Sequence, residues 1–190
     1  MRSLIAGMQV SVDLKIEGPN GDADWVPSWS DTFDLVPQVD ACLLGAAMYP
    51  GYEAFWRAIH AAPTELLDRT GELPTPEEIE YAAFAGRTPH YVLSSSLAIA
   101  AWSHTHFLRS AEEVAALKKQ PGRDIYVVGG AITICTLLDA GLIDELRLTL
   151  HPLIAGPGKP LFDRVERHRL SLRSMRSVDG GKVALVYGVN

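Results

Sequence analysis

Two adjacent glycines, Gly129 and Gly130, carry the clearest chemical signal in this chain. Ahead of them runs Ile125-Tyr126-Val127-Val128, a short β-branched and aromatic stretch of the kind that fills a buried strand. Behind them the sequence reads as a helix that ends at Gly141, followed by a second strand. Where a strand turns sharply into a helix, glycines let the backbone approach a ligand closely. The helix N-terminus adds unpaired N–H groups and the positive end of a dipole, which suits a phosphate. The segment therefore predicts a phosphate-bearing cofactor at the carboxyl end of a sheet strand. The same dipeptide is also what an ordinary tight turn uses, and a motif this short often occurs without a ligand.

Other residues could do chemistry, and each has an ordinary structural explanation beside it. Asp13 follows a predicted strand, so its carboxylate could face a cleft and orient substrate or support proton transfer. A loop cap would account for it as well. Lys15 could orient an anionic group or be an ordinary exposed lysine. Asp31 lies at a predicted helix start, where acids are favoured. Trp25, Trp29, Tyr49, Tyr52, Phe55 and Trp56 cluster in two nearby segments. They could stack a flat ligand or serve core or dimer packing. His104 and His106 stand two apart on a predicted strand and should share a face. No third ligand stands near them at metal spacing, so a surface role fits better and no metal is expected. Cys42 and Cys135 sit inside apolar runs and read as buried thiols of a cytosolic protein. There is no Ser-His-Asp arrangement with supporting context, no Walker-type loop and no zinc motif.

These residues need a frame. Strands are predicted near residues 3–10, 40–45, 90–94, 104–108, 124–128 and 145–151. Residues 170–178 and 182–189 flank Asp179-Gly180-Gly181, a hairpin turn signal. Residues 47–60 are aromatic-rich and helical in pattern. Ser30 should cap a short helix reaching Val36, before Pro37 interrupts it. Thr75-Pro76-Glu77-Glu78 is a helix start with a capping box, and Ser110 with Glu113 forms a second one. Strands alternating with helices, then closing antiparallel strands, predict one mostly parallel sheet with helices on both faces. At 190 residues the chain should form a single domain, residues 1–190, with a sizeable core.

Composition excludes several classes. A net charge of −6 and the lack of a basic run argue against a nucleic-acid binder. No run approaches the roughly 20 apolar residues of a membrane span, and residues 1–10 lack a signal-peptide core. The expectation is a cytoplasmic protein with a small-molecule substrate and neither a membrane nor a nucleic-acid partner.

Taken together, the motifs resemble the dihydrofolate reductase-like superfamily, in particular the reductase domain of the bifunctional riboflavin-biosynthesis deaminase–reductase and its stand-alone relatives. Ser11-Val12-Asp13-Leu14-Lys15 is similar to the family's S-L-D-G-K segment, and Gly21-Asp22-Ala23-Asp24-Trp25 to its acidic loop ending in Trp. Leu43-Leu44-Gly45 followed by Tyr49 resembles L-L-G-R-x-T-Y, and Tyr91-Val92-Leu93-Ser94 resembles the strand before its S-R-T turn. The Gly129-Gly130 helix, Leu142-Ile143-Asp144-Glu145-Leu146, Pro152, Gly156, Gly158 and Phe162 form the most specific block. The resemblance covers nearly the whole chain.

It implies a three-layer α/β/α fold and an oxidoreductase, forming a homodimer, that passes hydride from NADPH or NADH to a small heterocyclic or sugar-like substrate. A 5-amino-6-(5-phosphoribosylamino)uracil reductase or a dihydrofolate reductase-like enzyme would fit. It implies that Gly129, Gly130, Ala131, Ile132 and Thr133 hold the diphosphate, that Ala6 and Ile16 contact the nicotinamide, and that Gly45, Ser94 and Ser95 line the adenosine half. Asp13, Lys15 and Asp31 become the candidates for catalysis and substrate orientation. Asp31 falls within about one residue of the acidic substrate-binding position of dihydrofolate reductases. Four positions depart from the pattern. The family arginines are Ala46 and Ser95 here, a Thr is Met48, and a Gly is Leu14. Arg pairs with phosphate through a rigid donor fork that Ala and Ser cannot replace. A non-catalytic ligand-binding or assembly module on the same fold therefore stays open as the alternative.

Overall fold

The first strand decides the architecture. β1 (Leu4–Ser11) is buried along its whole length, so it needs neighbours on both edges and cover on both faces. It is followed by β2 (Lys15–Glu17), β3 (Val39–Gly45), α1 (Tyr49–Ala61) and α2 (Pro76–Arg87). Next come β4 (His90–Leu93), β5 (Thr105–Leu108), α3 (Ala111–Lys118), β6 (Asp124–Gly129) and α4 (Ala131–Asp139). The chain closes with β7 (Glu145–His151), β8 (Lys159–Pro160), β9 (Leu170–Val178) and β10 (Lys182–Val189). This computed structural model describes residues 1–30, 33–68 and 71–190.

Eight strands form one sheet in the order β5-β4-β3-β6-β1-β7-β10-β9. Strands β5 to β7 run parallel, and β10 is antiparallel to both β7 and β9. The carboxyl ends of the parallel strands therefore line one edge, at Ser11, Gly45, Leu93, Leu108, Gly129 and His151. Alternation along β1 divides two cores. Leu4 and Ala6 pack with Val127, Ile134 and Leu137 under α3 and α4. Ile5 packs with Leu44, Trp56, Tyr81 and Val128 under α1 and α2. The predicted parallel sheet, its closing hairpin and the helices on both faces are all present.

Several local expectations are corrected. The helix predicted from Ser30 to Val36 is not formed in its described part. Asp34 adopts φ 56°, a left-handed conformation that no α-helix passes through. Residues 31 and 32 lie outside the described residues. The capping box at α2 forms as expected: Thr75 Oγ accepts from the Glu78 amide at 3.2 Å, and Glu78 accepts from the Thr75 amide at 3.0 Å. At α3 it does not. Ser110 makes no capping bond, and Glu113 instead accepts from the Arg109 amide at 2.8 Å. A two-stranded ribbon, β2 with β8, stands apart from the main sheet and was not anticipated. His104 and His106 do not share a face. His104 packs beside His90 and Trp102, whereas His106 stacks on Tyr91, and successive strand residues 90 and 91 point to opposite faces. Cys42 and Cys135 are buried and form no disulfide. No helix among the described residues is long and apolar enough to cross a membrane.

Candidate active site

The Gly129-Gly130 turn joins β6 to α4, and the peptide bond between the two glycines is cis. They are constrained differently. Gly129 has φ 134°, which L side chains rarely adopt, and a Cβ there would meet Met8 Cε at 2.8 Å and Met48 Sδ at 3.3 Å. Gly130 is the N-cap of α4 at φ −80°, and a Cβ there would meet nothing within 4 Å. Its outer side is therefore open to an approaching group. The helix it starts has no capping side chain and no acid in its first turn. By contrast α2 carries Glu77 and Glu78 there, and α3 carries Glu112 and Glu113. The amides and positive dipole end of α4 are thus left for an anion. Ala131 and Thr133 turn inward, and Ile132 is 77% exposed. Thr133 Oγ1 presses so closely on Gly45 that only a glycine fits at the end of β3.

Beside this turn lies a cavity of about 310 Å³. Gly7, Met8 and Gln9 of β1 form its floor with Tyr126 and Val128 of β6. Trp29, Ser30 and Phe33 close one side, and Met48, Tyr52, Phe55 and Trp56 the other. Met8 and Met48 are the two residues that also confine Gly129, so the cavity and the anion-ready turn are contiguous. The sequence offers Trp29, Tyr52, Phe55 and Trp56 as candidates for stacking a ring. It does not mark Gly7, Met8, Gln9 or Tyr126 as part of a cavity. The available signal was Gln9, an amide inside an otherwise apolar strand.

Gln9 is only 5% exposed, and its partners fix its orientation. The carbonyl oxygen of Ser28 can only accept, so Gln9 Nε2 faces it, at 2.8 Å. The amide oxygen then faces His151 Nε2 at 2.9 Å, and that ring nitrogen must carry the proton. His151 is buried. Burial, with the nearby Lys182 charge, holds its pKa below the usual histidine value, so the ring stays neutral.

The sequence-derived site residues fall into three groups. Gly45, Gly129, Gly130, Ala131, Ile132 and Thr133 come together at the carboxyl edge of the sheet. Ser94 and Ser95 follow β4 at the same edge. Ser94 Oγ accepts from the amides of Ser96 and Leu97, and Ser95 is exposed. Arg109, just beyond β5, donates to the carbonyls of Ser94 at 2.7 Å and Leu97 at 2.8 Å, so a guanidinium stands on this loop. Arg87, at the end of α2, precedes the opposite end of β4. Ala6 and Ile16 are buried in the core under α3 and α4, away from the cavity. Gly7, Met8 and Gln9 are the β1 residues that line the cavity.

The third group is Asp13, Lys15 and Asp31. Asp13 is engaged as a clamp. It accepts from Ser11 Oγ at 2.7 Å and from the amides of Ala155 and Gly156 at 2.9 and 3.0 Å. The Ser11 hydroxyl, followed by these amides, holds its pKa down to about 2. Lys15 is half-buried at the start of β2. Asp31 lies outside the described residues. Glu53, which sequence reading did not single out, is 7% exposed. It accepts from the amides of Ala101 and Trp102 and from Tyr49 Oη. Burial alone would raise its pKa, but these donors outweigh it and lower it. It ties residues 101–102 to α1.

Over residues 2–186 the sequence matches the family described as the RibD C-terminal domain. It is 31% identical over 206 residues to YyaP, an uncharacterised protein of Bacillus subtilis (strain 168), covering 100% of this chain and 96% of that protein. The fold is similar to that of a putative riboflavin biosynthesis protein from Shewanella sp. PV-4, with a TM-score of 0.71, 19% identity and 99% of each chain covered. A dihydrofolate reductase from Enterococcus faecalis, solved in complex with NADP(H), superposes with a TM-score of 0.61 at 16% identity over 99% of this chain and 96% of that one. At these identities the two structures speak to the fold, the dihydrofolate reductase-like α/β arrangement of a mostly parallel sheet. The match along almost its whole length establishes that the chain belongs to the RibD C-terminal domain family.

Proposed function

We propose that this chain is a reductase that binds a nicotinamide nucleotide across the Gly129-Gly130 turn and reduces a small flat substrate in the adjoining cavity. The observation that carries the reading is the contiguity of the two: an uncapped, acid-free helix start behind an open Gly130, and an apolar cavity reached past Met8 and Met48. The residues present fit such a nucleotide. The amides of Ala131, Ile132 and Thr133 would hold its diphosphate, Gly45 permits the close approach of β3 to α4, and Ser94 and Ser95 would border the adenosine half. Arg109 stands on the same loop as a cation. When bound, the nicotinamide supplies the hydride.

The chain's own residues do the rest. The aromatic walls exclude water and hold a planar ring, which strengthens every polar contact inside. Gln9 offers one N–H and one oxygen lone pair beyond those used by Ser28 and His151. Asp13 positions the 155–156 segment through its two amide bonds. The competing reading, a ligand-binding module without catalysis, is favoured by Ala46 and Ser95, which bring no guanidinium to the cofactor edge. Calorimetric titration of NADPH and NADH into the protein and its Gly130→Asp variant separates the two. Micromolar binding that the variant loses supports the reductase. Binding of neither nucleotide at millimolar concentration favours the module.

A further inference from the structure

The cavity has a composition that its neighbourhood does not explain. Among the described residues that line it there is no Lys, Arg or His, and the walls are thioethers and rings. Met48 stands where the resemblance expects a threonine, so even that hydroxyl is replaced by an apolar group. A phosphate or ribose phosphate inside would meet no cation and would lose its hydration without replacement. Among the described residues, the neutral polar side chains that line the cavity are Gln9, Ser30, Tyr52 and Tyr126, with the indoles of Trp29 and Trp56. The Tyr52 hydroxyl is already shared between Tyr81 and His90. Ser30 Oγ is paired with Ser28 Oγ at 3.0 Å. Among the described lining residues only Gln9 carries a donor and an acceptor on the two atoms of one planar group, each with one bond already placed and one to spare. That pair matches a C(=O)–NH edge, whose own acceptor and donor are adjacent in the same way. A volume of about 310 Å³ is at the small end of ligand pockets, roughly 300–1,000 Å³.

We propose that the cavity takes an uncharged, flat ring with a lactam edge, read by Gln9, and excludes phosphoribosylated pyrimidines. As a statement about substrate it rests on the reductase reading; as a statement about binding it stands on the cavity alone. His151 is a positioning residue here, because it holds the Gln9 oxygen. The lactam edge pairs with a neutral amide, so the interaction involves no net charge and should be insensitive to salt.

The test is calorimetry without any nucleotide, using isoquinolin-1(2H)-one as the neutral lactam, isoquinoline as the same ring without it, and uridine 5′-monophosphate as the phosphoribosyl pyrimidine. The lactam should bind at least tenfold tighter than the uridine nucleotide. Gln9→Leu should weaken the lactam tenfold or more and change isoquinoline less than threefold. A collapsed cavity would weaken both together. Phe55→Arg, which adds a cation to the wall, should narrow the preference against the uridine nucleotide. Equal or tighter binding of uridine 5′-monophosphate to the unmodified protein overturns the proposal, as does an equal loss of both rings in Gln9→Leu. Failure of the lactam to bind at millimolar concentration also overturns it. Nicotinamide nucleotide binding alongside any of these outcomes leaves the reductase reading in place. Lactam binding without nucleotide binding removes that reading and keeps this one.

Discussion

Gly129 and Gly130 are neighbours held by different forces, and substitution should separate them. Gly129→Ala places a methyl group at φ 134° against Met8 and Met48. Strain of this kind costs about 1–3 kcal/mol, to be read as a lower unfolding midpoint. Gly130→Asp meets open space at an ordinary φ, so the fold should keep its stability within about 1 kcal/mol. Nucleotide binding should nevertheless fall below detection, because a carboxylate at the α4 N-terminus repels phosphate. Unchanged nucleotide affinity in the folded variant would make the turn purely structural. Leu14 shows the same conformational demand met differently. It adopts φ 58° where the resemblance expects glycine, and its side chain packs against the core under α3 and α4. The sequence announced both glycines because a dipeptide between a buried strand and a helix is local information. It did not announce that Gly7, Met8 and Gln9 line a cavity, because which helices cover each end of a strand is settled only by the finished sheet. Nor did it announce the clamp role of Asp13, whose amide partners lie more than 140 residues away.

At the scale of elements, the loops after β3, β4 and β6 decide cofactor choice. Ala46 and Ser95 stand on two of them without a charge. A bidentate Arg–phosphate pair is stronger than a neutral hydroxyl contact. NADPH should therefore be preferred over NADH by roughly tenfold or less, about 1.4 kcal/mol. Whatever preference exists should depend on Arg109, which already grips the 94–97 loop through two carbonyls. Titrations of Arg109→Gln should show equal affinities. The double variant Ala46→Arg with Ser95→Arg should tighten NADPH selectively and make its binding more salt-sensitive. A hundredfold preference in the unmodified protein would refute this account of the loops. The sequence placed these loops correctly, since each follows an apolar run with a sharp polar end. It misplaced the helix at residues 30–36, where tertiary contacts override a capping pattern. Phe33 enters the core under α1, its carbonyl accepts from Arg147, and Asp34 pairs with Arg176. It also missed the β2–β8 ribbon, because a two-residue strand carries no period to read.

For the whole molecule, several buried or clamped groups shape the response to acid, among them His90, His151, Asp13 and the clamped Glu53. Burial, reinforced by His104, lowers the His90 pKa from 6.5 to about 3. Above pH 6.5 the ring is neutral in the folded and unfolded chain alike. Below it the unfolded chain binds a proton that the folded protein does not, so stability falls until about pH 3. The full window is worth on the order of 5 kcal/mol. His151, lowered by burial, contributes with the same sign. Asp13 acts at lower pH. Its folded pKa of about 2 lies under the ordinary 3.8, so its contribution is present above 3.8 and lost as pH falls through about 2. Urea unfolding across pH should show a continuous decline from 6.5 downwards. His90→Gln should flatten the upper part of that decline, and Asp13→Asn the part below 3.8. A pH-independent midpoint between 6.5 and 4 would contradict the burial of both histidines. The sheet was readable from sequence because buried parallel strands are continuous apolar runs. The cavity was not, because its walls come from four segments that only the finished sheet brings together.

That β1 lies between β6 and β7 has a consequence for synthesis. The earliest strand of this sheet in chain order pairs with Ile125–Val127 on one side and Glu145–His151 on the other. At about 5–20 residues per second, it waits on the order of 10 s for its first partner. Until then an eight-residue segment that is buried in the folded protein has no sheet to join, and β3, β4 and β5 can pair only among themselves. Vectorial folding is therefore blocked at the centre, and the chain is exposed to holdase chaperones and proteases through most of its elongation. Stalled nascent chains ending within α3 should be cleaved rapidly by protease. Protection of residues 4–11 should arise only once β7 has cleared the exit tunnel.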